Sequence, residues 1–193
     1  MITVIDDFLS KSYFEFLQSY VNSYGFKWAY VNNITKPDNG EQDGLFGLSE
    51  TLFKTESDGK IIPKDTDATK YTIPAILQIQ DIVDMPHVYR ARYDMTLRHP
   101  DGVKHDEHID INHPDFVSVI LYMNDSDGDT VIYNEKCLSV SDLQIDREYT
   151  IKKTITPKAN RLVFFDGHYV HTGHSPSKHN NRILLNAVLL NDF

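Results

Sequence analysis

The stretch 116-FVSVILYMNDSDGDTVIYNE-135 decides the fold, because it contains a strand, a turn and a second strand in succession. Residues 116–124 and 130–135 are rich in β-branched, aromatic and aliphatic side chains, which favour strands. Between them, 125-DSDGD-129 holds aspartates, a serine and a glycine, which favour a turn. The stretch therefore predicts two neighbouring strands of an antiparallel sheet.

Further short runs of this kind lie on both sides of that stretch, from about residue 87 onward. They are 87-HVYRARYDMTL-97, 148-EYTIKK-153, 161-RLVFFD-166 and 182-RILLNAVLL-190. Many short strands at roughly even spacing are typical of an antiparallel sandwich or barrel. We therefore expect a mainly β fold with helices packed outside the sheets.

Two amphipathic helices are predicted in the first part of the chain. Residues 10–23 place apolar side chains at helical spacing behind a serine cap, and residues 72–84 do so with a proline in the first turn. The polar stretch 35–70 between them is predicted to be a loop with one or two short strands, which could cover a substrate. No linker separates the helical support, about 1–85, from the β-core, about 86–193, so we predict that residues 1–193 form one domain.

Composition sets limits on the partners and the compartment. The 193 residues carry a net charge of −9, which disfavours nucleic acid or an anionic membrane surface as a partner. A single cysteine, Cys137, cannot form an internal disulfide, and the simplest interpretation is a reducing compartment. The first residues, MITVIDDFLSKSYFEF, have no basic region, so we expect no signal peptide, and no apolar run is long enough to cross a bilayer. A cytoplasmic protein is therefore expected.

Seven of the nine histidines fall in two short windows, 105-HDEHIDINH-113 and 168-HYVHTGHSPSKH-179. In a strand, residues two apart point to the same face, so His108 and Asp110 would project together. Two histidines and one carboxylate with open coordination positions form the metal site of non-haem Fe(II) oxygenases. The pattern predicts a metal site made of His108, Asp110 and one histidine of the second window.

The pattern alone leaves other ligands open. His105 and Glu107 form a second His-x-carboxylate pair, of opposite parity to the first, so without a bulge only one pair can face the metal. His113 and Asp115 form a third pair, but the proline between them indicates a turn. The second window offers four candidates for the remaining ligand: His168, His171, His174 and His179.

Arg182 opens the apolar strand 182–190, eleven residues after His171. An arginine held by a core strand near a metal can bind a carboxylate through two parallel hydrogen bonds, a geometry that lysine does not offer. A dicarboxylate could therefore chelate the metal at one end and bind Arg182 at the other.

The order of these motifs resembles that of the 2-oxoglutarate- and Fe(II)-dependent dioxygenases of the prolyl 4-hydroxylase-like group. The His-x-Asp pair is followed by LYMNDSDGDTVIY, then by RLVFFDGHYVHTGHSP and NNRILLN, and the likeness covers most of residues 85–193. By this resemblance, His108, Asp110 and His171 bind Fe(II), and Arg182 binds the 5-carboxylate of 2-oxoglutarate. Tyr93, in the strand before the metal motif, would be a further contact to that cosubstrate.

The resemblance implies a double-stranded β-helix, a jelly-roll or cupin-like fold. It also implies that Fe(II), 2-oxoglutarate and O2, with ascorbate as a reductant, hydroxylate a C–H bond and release succinate and CO2. The substrate that it favours is a prolyl residue in a peptide or protein, and it implies no catalytic residue beyond the metal site. Two alternatives are the same chemistry on a small metabolite or another residue, and a jelly-roll binding module without catalysis. An extended groove lined by residues 30–70 would favour a peptide, and a closed pocket would favour a small molecule.

Overall fold

Two antiparallel sheets form the centre of the protein in a computed structural model, which describes residues 1–32, 34, 45–55, 61–144 and 147–192. In chain order, the elements are β1 (Ile2–Ile5), α1 (Lys11–Val21), β2 (Ala29–Val31), β3 (Gly47–Thr55), β4 (Ile61–Pro63), α2 (Asp67–Val83), β5 (His87–Leu97), β6 (Phe116–Tyr122), β7 (Thr130–Lys136), a short 3-10 helix (Val140–Asp142), β8 (Ile151–Ile155), β9 (Leu162–Asp166), β10 (Tyr169–Gly173) and β11 (Asn181–Leu190). Within the described ranges, no helix has the length and apolar character needed to cross a membrane.

The larger sheet has the strand order β1-β9-β6-β11-β5-β3-β2, with β4 paired to β3, and the smaller sheet has the order β10-β7-β8. Their inner faces pack together through a buried cluster that combines Ile132 and Ile155 of the smaller sheet with Ile120 and Leu184 of the larger. This arrangement is a double-stranded β-helix. The predicted mainly β fold with flanking helices is therefore confirmed.

The outer face of the larger sheet carries both helices. Leu17 of α1 and Ile79 of α2 are fully buried in one cluster with Leu185 and Leu189 of β11. Burying each side chain of this size contributes about 1.5–3 kcal/mol. The helices therefore stabilise the sheet from outside and leave its inner face for a cavity.

Helix α2 begins five residues before the predicted start. Thr66 caps it, because its side-chain oxygen accepts a hydrogen bond from the Thr69 N–H at 3.2 Å. Pro74 consequently lies inside the helix and not in its first turn. A proline there lacks the N–H that would bond to the fourth preceding carbonyl, and its ring crowds that carbonyl.

A side chain from α1 lies in the backbone ladder of α2 next to this proline. The Tyr13 hydroxyl donates to the Tyr71 carbonyl at 2.7 Å and accepts from the Ala75 N–H at 3.1 Å. A regular α-helix would join these two backbone groups directly. The insertion of a side chain into the ladder is a recognised cause of a helix kink.

The part before residue 86 is more than a helical support, which corrects the prediction. β1 pairs with β9, and β3 pairs with β5, so both halves of the chain contribute to the larger sheet. The predicted loop 35–70, in which one or two short strands were expected, contains the nine-residue strand β3 and the short strand β4. Its residues 35–44 and 56–60, where the substrate-covering loop was predicted, lie outside the described residues. Both parts of the chain thus share one sheet, and the single domain itself stays a prediction.

The strands of the C-terminal half mostly match their predicted bounds. β5 agrees at both ends, and β6, β7, β9 and β11 agree within two residues, whereas β8 begins three residues late. The sequence patterns gave no strand at β10, Tyr169–Gly173. Its polar residues His171 and Thr172 are both buried, so apolar and polar residues do not alternate along this strand.

Candidate metal centre

Three side chains from two distant segments meet between the sheets: His108, Asp110 and His171. One possible ligand atom of each lies within 4.8 Å of the other two. Nε2 of His171 is 3.6 Å from Oδ2 of Asp110. Within the described part of the chain, no other group of three potential ligands comes together in this way.

Backbone pairing fixes the positions of the two histidines. His108 and His171 exchange two backbone hydrogen bonds, of 2.9 and 3.0 Å. The predicted strand over residues 108–110 is wrong, since His108 forms a single isolated bridge to His171 and the chain bends at Asp110. The bend brings the carboxylate to the histidines. The sequence pattern had predicted the same proximity, but from strand alternation.

Each histidine is oriented through its second ring nitrogen. Nδ1 of His108 lies 3.0 Å from the Asp106 carbonyl, and Nδ1 of His171 lies 3.0 Å from the Tyr169 carbonyl. When Nδ1 carries the proton, Nε2 presents the lone pair that binds a metal. Burial, and then the charge of His108, lowers the pKa of His171 to about 4, so its ring is neutral at pH 7.

The Asp110 carboxylate accepts hydrogen bonds on both oxygens. Oδ1 accepts from Nη2 of Arg90 at 2.7 Å, and Oδ2 accepts from Oγ of Ser118 at 2.5 Å. Burial alone would raise the pKa of Asp110, but Arg90, the two histidines and Ser118 hold it well below its usual range. The carboxylate is therefore ionised and rigidly held, as a metal ligand must be.

A buried arginine, Arg182, lines the same cavity, which has a volume of about 120 Å³. Its Nη2 donates to Oγ1 of Thr130 at 2.6 Å, and its guanidinium carbon lies 5.7 Å from the centre of the Tyr122 ring. Its Nε is buried and has no hydrogen-bond partner among the described residues. Leaving such a donor unsatisfied costs about 1–3 kcal/mol, unless a ligand supplies an acceptor.

Glycine at position 173 keeps space beside this arginine. A Cβ there would lie 3.1 Å from Nη1 of Arg182, closer than an ordinary contact. The site therefore fits both groups that the sequence predicts. Two imidazoles, each with Nδ1 close to a backbone carbonyl, and a carboxylate suit Fe(II), and a guanidinium with a free donor suits the far end of a dicarboxylate.

The structure does not bring the rival pairs into the cluster. His105 lines the same cavity, but its Nε2 lies 3.0 Å from Oγ of Ser175. Glu107 accepts hydrogen bonds from Lys104 and Tyr133. The ring of His113 makes hydrogen bonds to the backbone of Asp115 in a turn.

The other three histidines of the second window have contacts away from the cluster. His168 lies between the carboxylate of Asp166, at 2.9 Å, and the carbonyl of His113, at 3.0 Å. His174 and His179 contact the turn between β6 and β7, through the Asp129 carbonyl and the Asp127 carboxylate. All three therefore have structural contacts of their own.

The side chain of Tyr93 does not lie where a contact to 2-oxoglutarate would require it. Its side chain lies on the opposite face of β5, where its hydroxyl is 2.9 Å from Oγ1 of Thr72 in α2 and its ring packs against Phe26. Strand alternation sends Arg92 and Asp94 into the cavity and Tyr93 towards the helices. The predicted contact between Tyr93 and the cosubstrate is therefore wrong.

Sequence reasoning missed the residues that hold the predicted ligands. Arg90 and Ser118 contact Asp110, and Thr130 and Tyr122 contact Arg182. A signal for the first of these existed, because 90-RARYD-94 places a charged side chain at every second residue. In an edge strand that pattern indicates a solvent-exposed face, whereas here the charged face lines a cavity.

The family profile of the 2OG-Fe(II) oxygenase superfamily matches residues 91–189, just over half of the chain. Comparison with curated protein sequences gives no match.

Solved structures share the fold. An oxidoreductase of the 2OG-Fe(II) oxygenase family from Burkholderia pseudomallei aligns with a TM-score of 0.65 and 12% identity, over 97% of this chain and 84% of that one. The epimerase SnoN from nogalamycin biosynthesis aligns with a TM-score of 0.67 and 10% identity, over 98% and 76%. A prolyl hydroxylase from Trichoplax adhaerens, in complex with a hypoxia-inducible-factor peptide, aligns with a TM-score of 0.63 and 11% identity, over 98% and 83%. At these identities, the likeness shows the fold alone. With the match to the family profile, it follows that this chain belongs to the 2OG-Fe(II) oxygenase superfamily, which uses Fe(II), 2-oxoglutarate and O2.

Proposed function

We propose that this protein hydroxylates a prolyl residue in a peptide or protein and releases succinate and CO2. The observation that carries the proposal is that His108, Asp110 and His171 meet in one cavity with the buried Arg182. Two imidazoles, an ionised carboxylate and a guanidinium with a spare donor suit Fe(II) and a dicarboxylate.

Each of these residues has a role in the proposed site. Nε2 of both histidines and Oδ2 of Asp110 hold the iron, and Arg182 with Thr130 holds the 5-carboxylate of 2-oxoglutarate. When bound, iron, 2-oxoglutarate and O2 together supply the oxidant that hydroxylates the C–H bond. Arg90 keeps Asp110 ionised and fixes its orientation, since it holds the oxygen that does not face His171.

The substrate assignment is supported by a second, more open groove, of about 630 Å³, next to Asp110. Its lining includes Thr51, Phe53 and Lys64. These residues belong to the segment 30–70, and a groove lined by that segment is the feature expected for a peptide substrate. Among the similar structures, one contains a peptide, and SnoN comes from the biosynthesis of a small molecule. The groove favours the peptide. The proposed setting is a reducing cytoplasm, which the single free and buried Cys137 supports.

The proposal is tested by succinate release and iron binding. Protein supplied with Fe(II), 2-oxoglutarate and ascorbate should release succinate in response to proline-containing peptides, and a panel of small metabolites should give less. Asp110→Ala should abolish turnover and weaken iron binding, while circular dichroism shows an intact fold. Glu107→Ala is the matched control, because this carboxylate belongs to the rival pair and contacts Lys104.

Two outcomes would count against the proposal. Retained turnover in Asp110→Ala with loss in Glu107→Ala would transfer the ligand role to the rival pair. Failure of the wild-type protein to bind iron would leave a jelly-roll binding module as the better description.

A further inference from the structure

Two arginines, Arg92 of β5 and Arg182 of β11, line the cavity at different positions along its wall. Opposite β11, Thr96 pairs with Arg182, and Arg92 pairs with Asn186. At about 3.3 Å per residue, the four-residue offset from Arg92 to Thr96 spans about 13 Å along the strand. Arg92 therefore lies at a different level from the arginine proposed to bind the cosubstrate.

Arg92 has unused hydrogen-bonding capacity. Its Nε donates to Oδ2 of Asp94 at 2.8 Å. Among the described residues, no other hydrogen bond or ion pair involves Arg92, so its two terminal nitrogens are left for another partner. The side chain is 36% exposed and lines the cavity, so a ligand can reach it.

The guanidinium is close to the metal cluster and charged. Burial acts to lower the pKa of Arg92, but the charges of Asp94 and Asp110 raise it by more. A partly exposed pair such as Arg92–Asp94 adds little to the stability of a protein. Folding therefore does not account for two charged groups in the wall of this cavity.

Arg90 provides a contrast on the same strand face. Its Nη2 is engaged by Oδ1 of Asp110, at 2.7 Å, and by Oδ1 of Asn186, at 3.2 Å. Arg90 thus contacts a residue of the metal cluster, whereas the hydrogen bond of Arg92 goes to Asp94 of its own strand. Held by Asp94 through Nε, its planar fork presents two parallel donors, the geometry that matches a carboxylate.

We propose that Arg92, oriented by Asp94, binds a carboxylate of the substrate close to the C–H bond that is hydroxylated. The proposal rests on the proposed function and names a substrate class for the same site. The charge of the surroundings agrees, since the adjoining groove is lined by the cations Lys54, Lys64 and Arg90, with Asp110 as its acidic member. Two of these cations have acidic partners of their own, since Lys64 contacts Glu50 and Arg90 contacts Asp110. In a chain of net charge −9, a groove wall that carries cations still favours an anionic ligand.

The carboxylate could come from an acidic side chain next to the target proline or from a free small acid. Two matched pairs of probes separate these sources. One pair is an acetylated, amidated Gly-Glu-Pro-Glu-Gly peptide and its Gln-for-Glu counterpart, and the other is L-proline and L-prolinamide. Binding is measured calorimetrically, without O2, to the protein loaded with Fe(II) and 2-oxoglutarate.

We expect the acid of at least one pair to bind tenfold or more tightly than its amide. Arg92→Gln should abolish this preference and leave the affinity for 2-oxoglutarate unchanged, and Arg92→Lys should retain part of it. Asp94→Asn should reduce the preference, because the guanidinium loses its orientation. Arg147→Gln is the matched control, since this arginine is exposed and stacks on Tyr149 away from the cavity. Preference for the Glu peptide assigns the carboxylate to a peptide side chain, and preference for L-proline assigns it to a free acid.

The proposal is overturned if acid and amide bind equally, or not at all, in both pairs, or if Arg92→Gln keeps the preference. It is also overturned if Arg92→Gln weakens 2-oxoglutarate binding, which would make Arg92 a cosubstrate residue. Failure of the proposed iron and 2-oxoglutarate chemistry is a separate result, because it appears as absent iron-dependent binding of 2-oxoglutarate before any probe is added. A preference for L-proline alone would keep the role of Arg92 and replace the proposed peptide substrate by a free acid.

Discussion

The buried guanidinium of Arg182 has more N–H donors than it has acceptors around it among the described residues. Thr130 accepts one hydrogen bond, while the Nε donor has no partner among the described residues. Arg182→Ala should therefore weaken 2-oxoglutarate binding by about 2–5 kcal/mol, the usual cost of removing one partner of a buried charge pair. Iron binding should change little, because Arg182 is not one of the three clustered ligands. Calorimetric titration with 2-oxoglutarate measures the first effect, and a separate titration with Fe(II) under anaerobic conditions measures the second.

Arg98→Ala is the control for this substitution. Arg98 lies just beyond β5 and donates to the Ser177 carbonyl at 2.7 Å, outside the cavity lining. It should leave the affinity for 2-oxoglutarate unchanged. An unchanged affinity in Arg182→Ala would remove this residue from the cosubstrate site.

Single site residues could be predicted from the sequence where a metal or a carboxylate can be bound by only a few residue types. Of the predicted residues, His108, Asp110, His171 and Arg182 line one cavity, and their ligand roles remain predictions. The direction of Tyr93 could not be predicted, because it depends on how β5 pairs with β11. Alternation says that Tyr93 and Arg92 face opposite ways, but only the pairing of Arg92 with Asn186 shows which of them faces inward.

At the scale of elements, α1 and α2 are joined by the Tyr13 hydroxyl. Tyr13→Phe removes the acceptor of the Ala75 N–H and the donor to the Tyr71 carbonyl. We expect the free energy of unfolding to fall by about 1–2 kcal/mol, because two helix groups beside Pro74 lose their partner. Urea denaturation followed by circular dichroism measures the change.

Tyr20→Phe is the matched control, because Tyr20 packs in the same helix layer through ring contacts with Phe26 and Tyr71. In the described structure, its hydroxyl makes no hydrogen bond, so this variant should stay within about 0.5 kcal/mol of wild type. If the two variants lose equal stability, the hydroxyl bridge has no special role.

Elements were predictable where one face is apolar. β11 is apolar along most of its length, and its predicted bounds differ from the observed ones by one residue. One or two short strands were expected within residues 35–70, but the bounds of β3 could not be predicted, because its inward residues Ser49 and Thr51 are polar and line cavities. Strands that build a polar site therefore have the weakest sequence signal.

At the scale of the whole molecule, the first residues of the chain are held against the loop before β9. Nε and Nη2 of Arg161 donate to the two carboxylate oxygens of Asp6, at 2.6 and 3.1 Å, and Lys158 adds a contact at 3.1 Å. Asn160 exchanges two hydrogen bonds with the backbone of Leu9. This group holds β1 at the edge of the larger sheet.

The Asp6 contacts predict a dependence of stability on pH. Hydrogen bonds from Arg161, and then from Lys158, lower the pKa of Asp6 to about 2 in the folded protein. An unfolded aspartate titrates near 3.9, so the contribution is complete above about pH 4 and is lost as the pH falls through about 2. Asp6→Asn should cost about 0.5–1 kcal/mol at pH 7, a small value because the side chain is partly exposed.

The difference in unfolding free energy between wild type and Asp6→Asn should shrink between pH 4 and pH 2, as measured by urea titration at each pH. Asp101→Asn is the control, since its side chain is 86% exposed and its ion-pair contact is with His99, not with Arg161 or Lys158. A difference that stays constant down to pH 2 would contradict the assignment.

The position of β11 has a consequence for how the polypeptide is made. β11 lies between β5 and β6, although its residues follow both of those strands in the chain. During translation, β5 and β6 are synthesised before β11, so the edges that pair with β11 stay unpaired until residues 181–190 leave the ribosome. Pairing over such a sequence distance is slow, and open edges invite association with other chains. The edges of β5 and β6 are therefore open to association with other chains until β11 pairs with them.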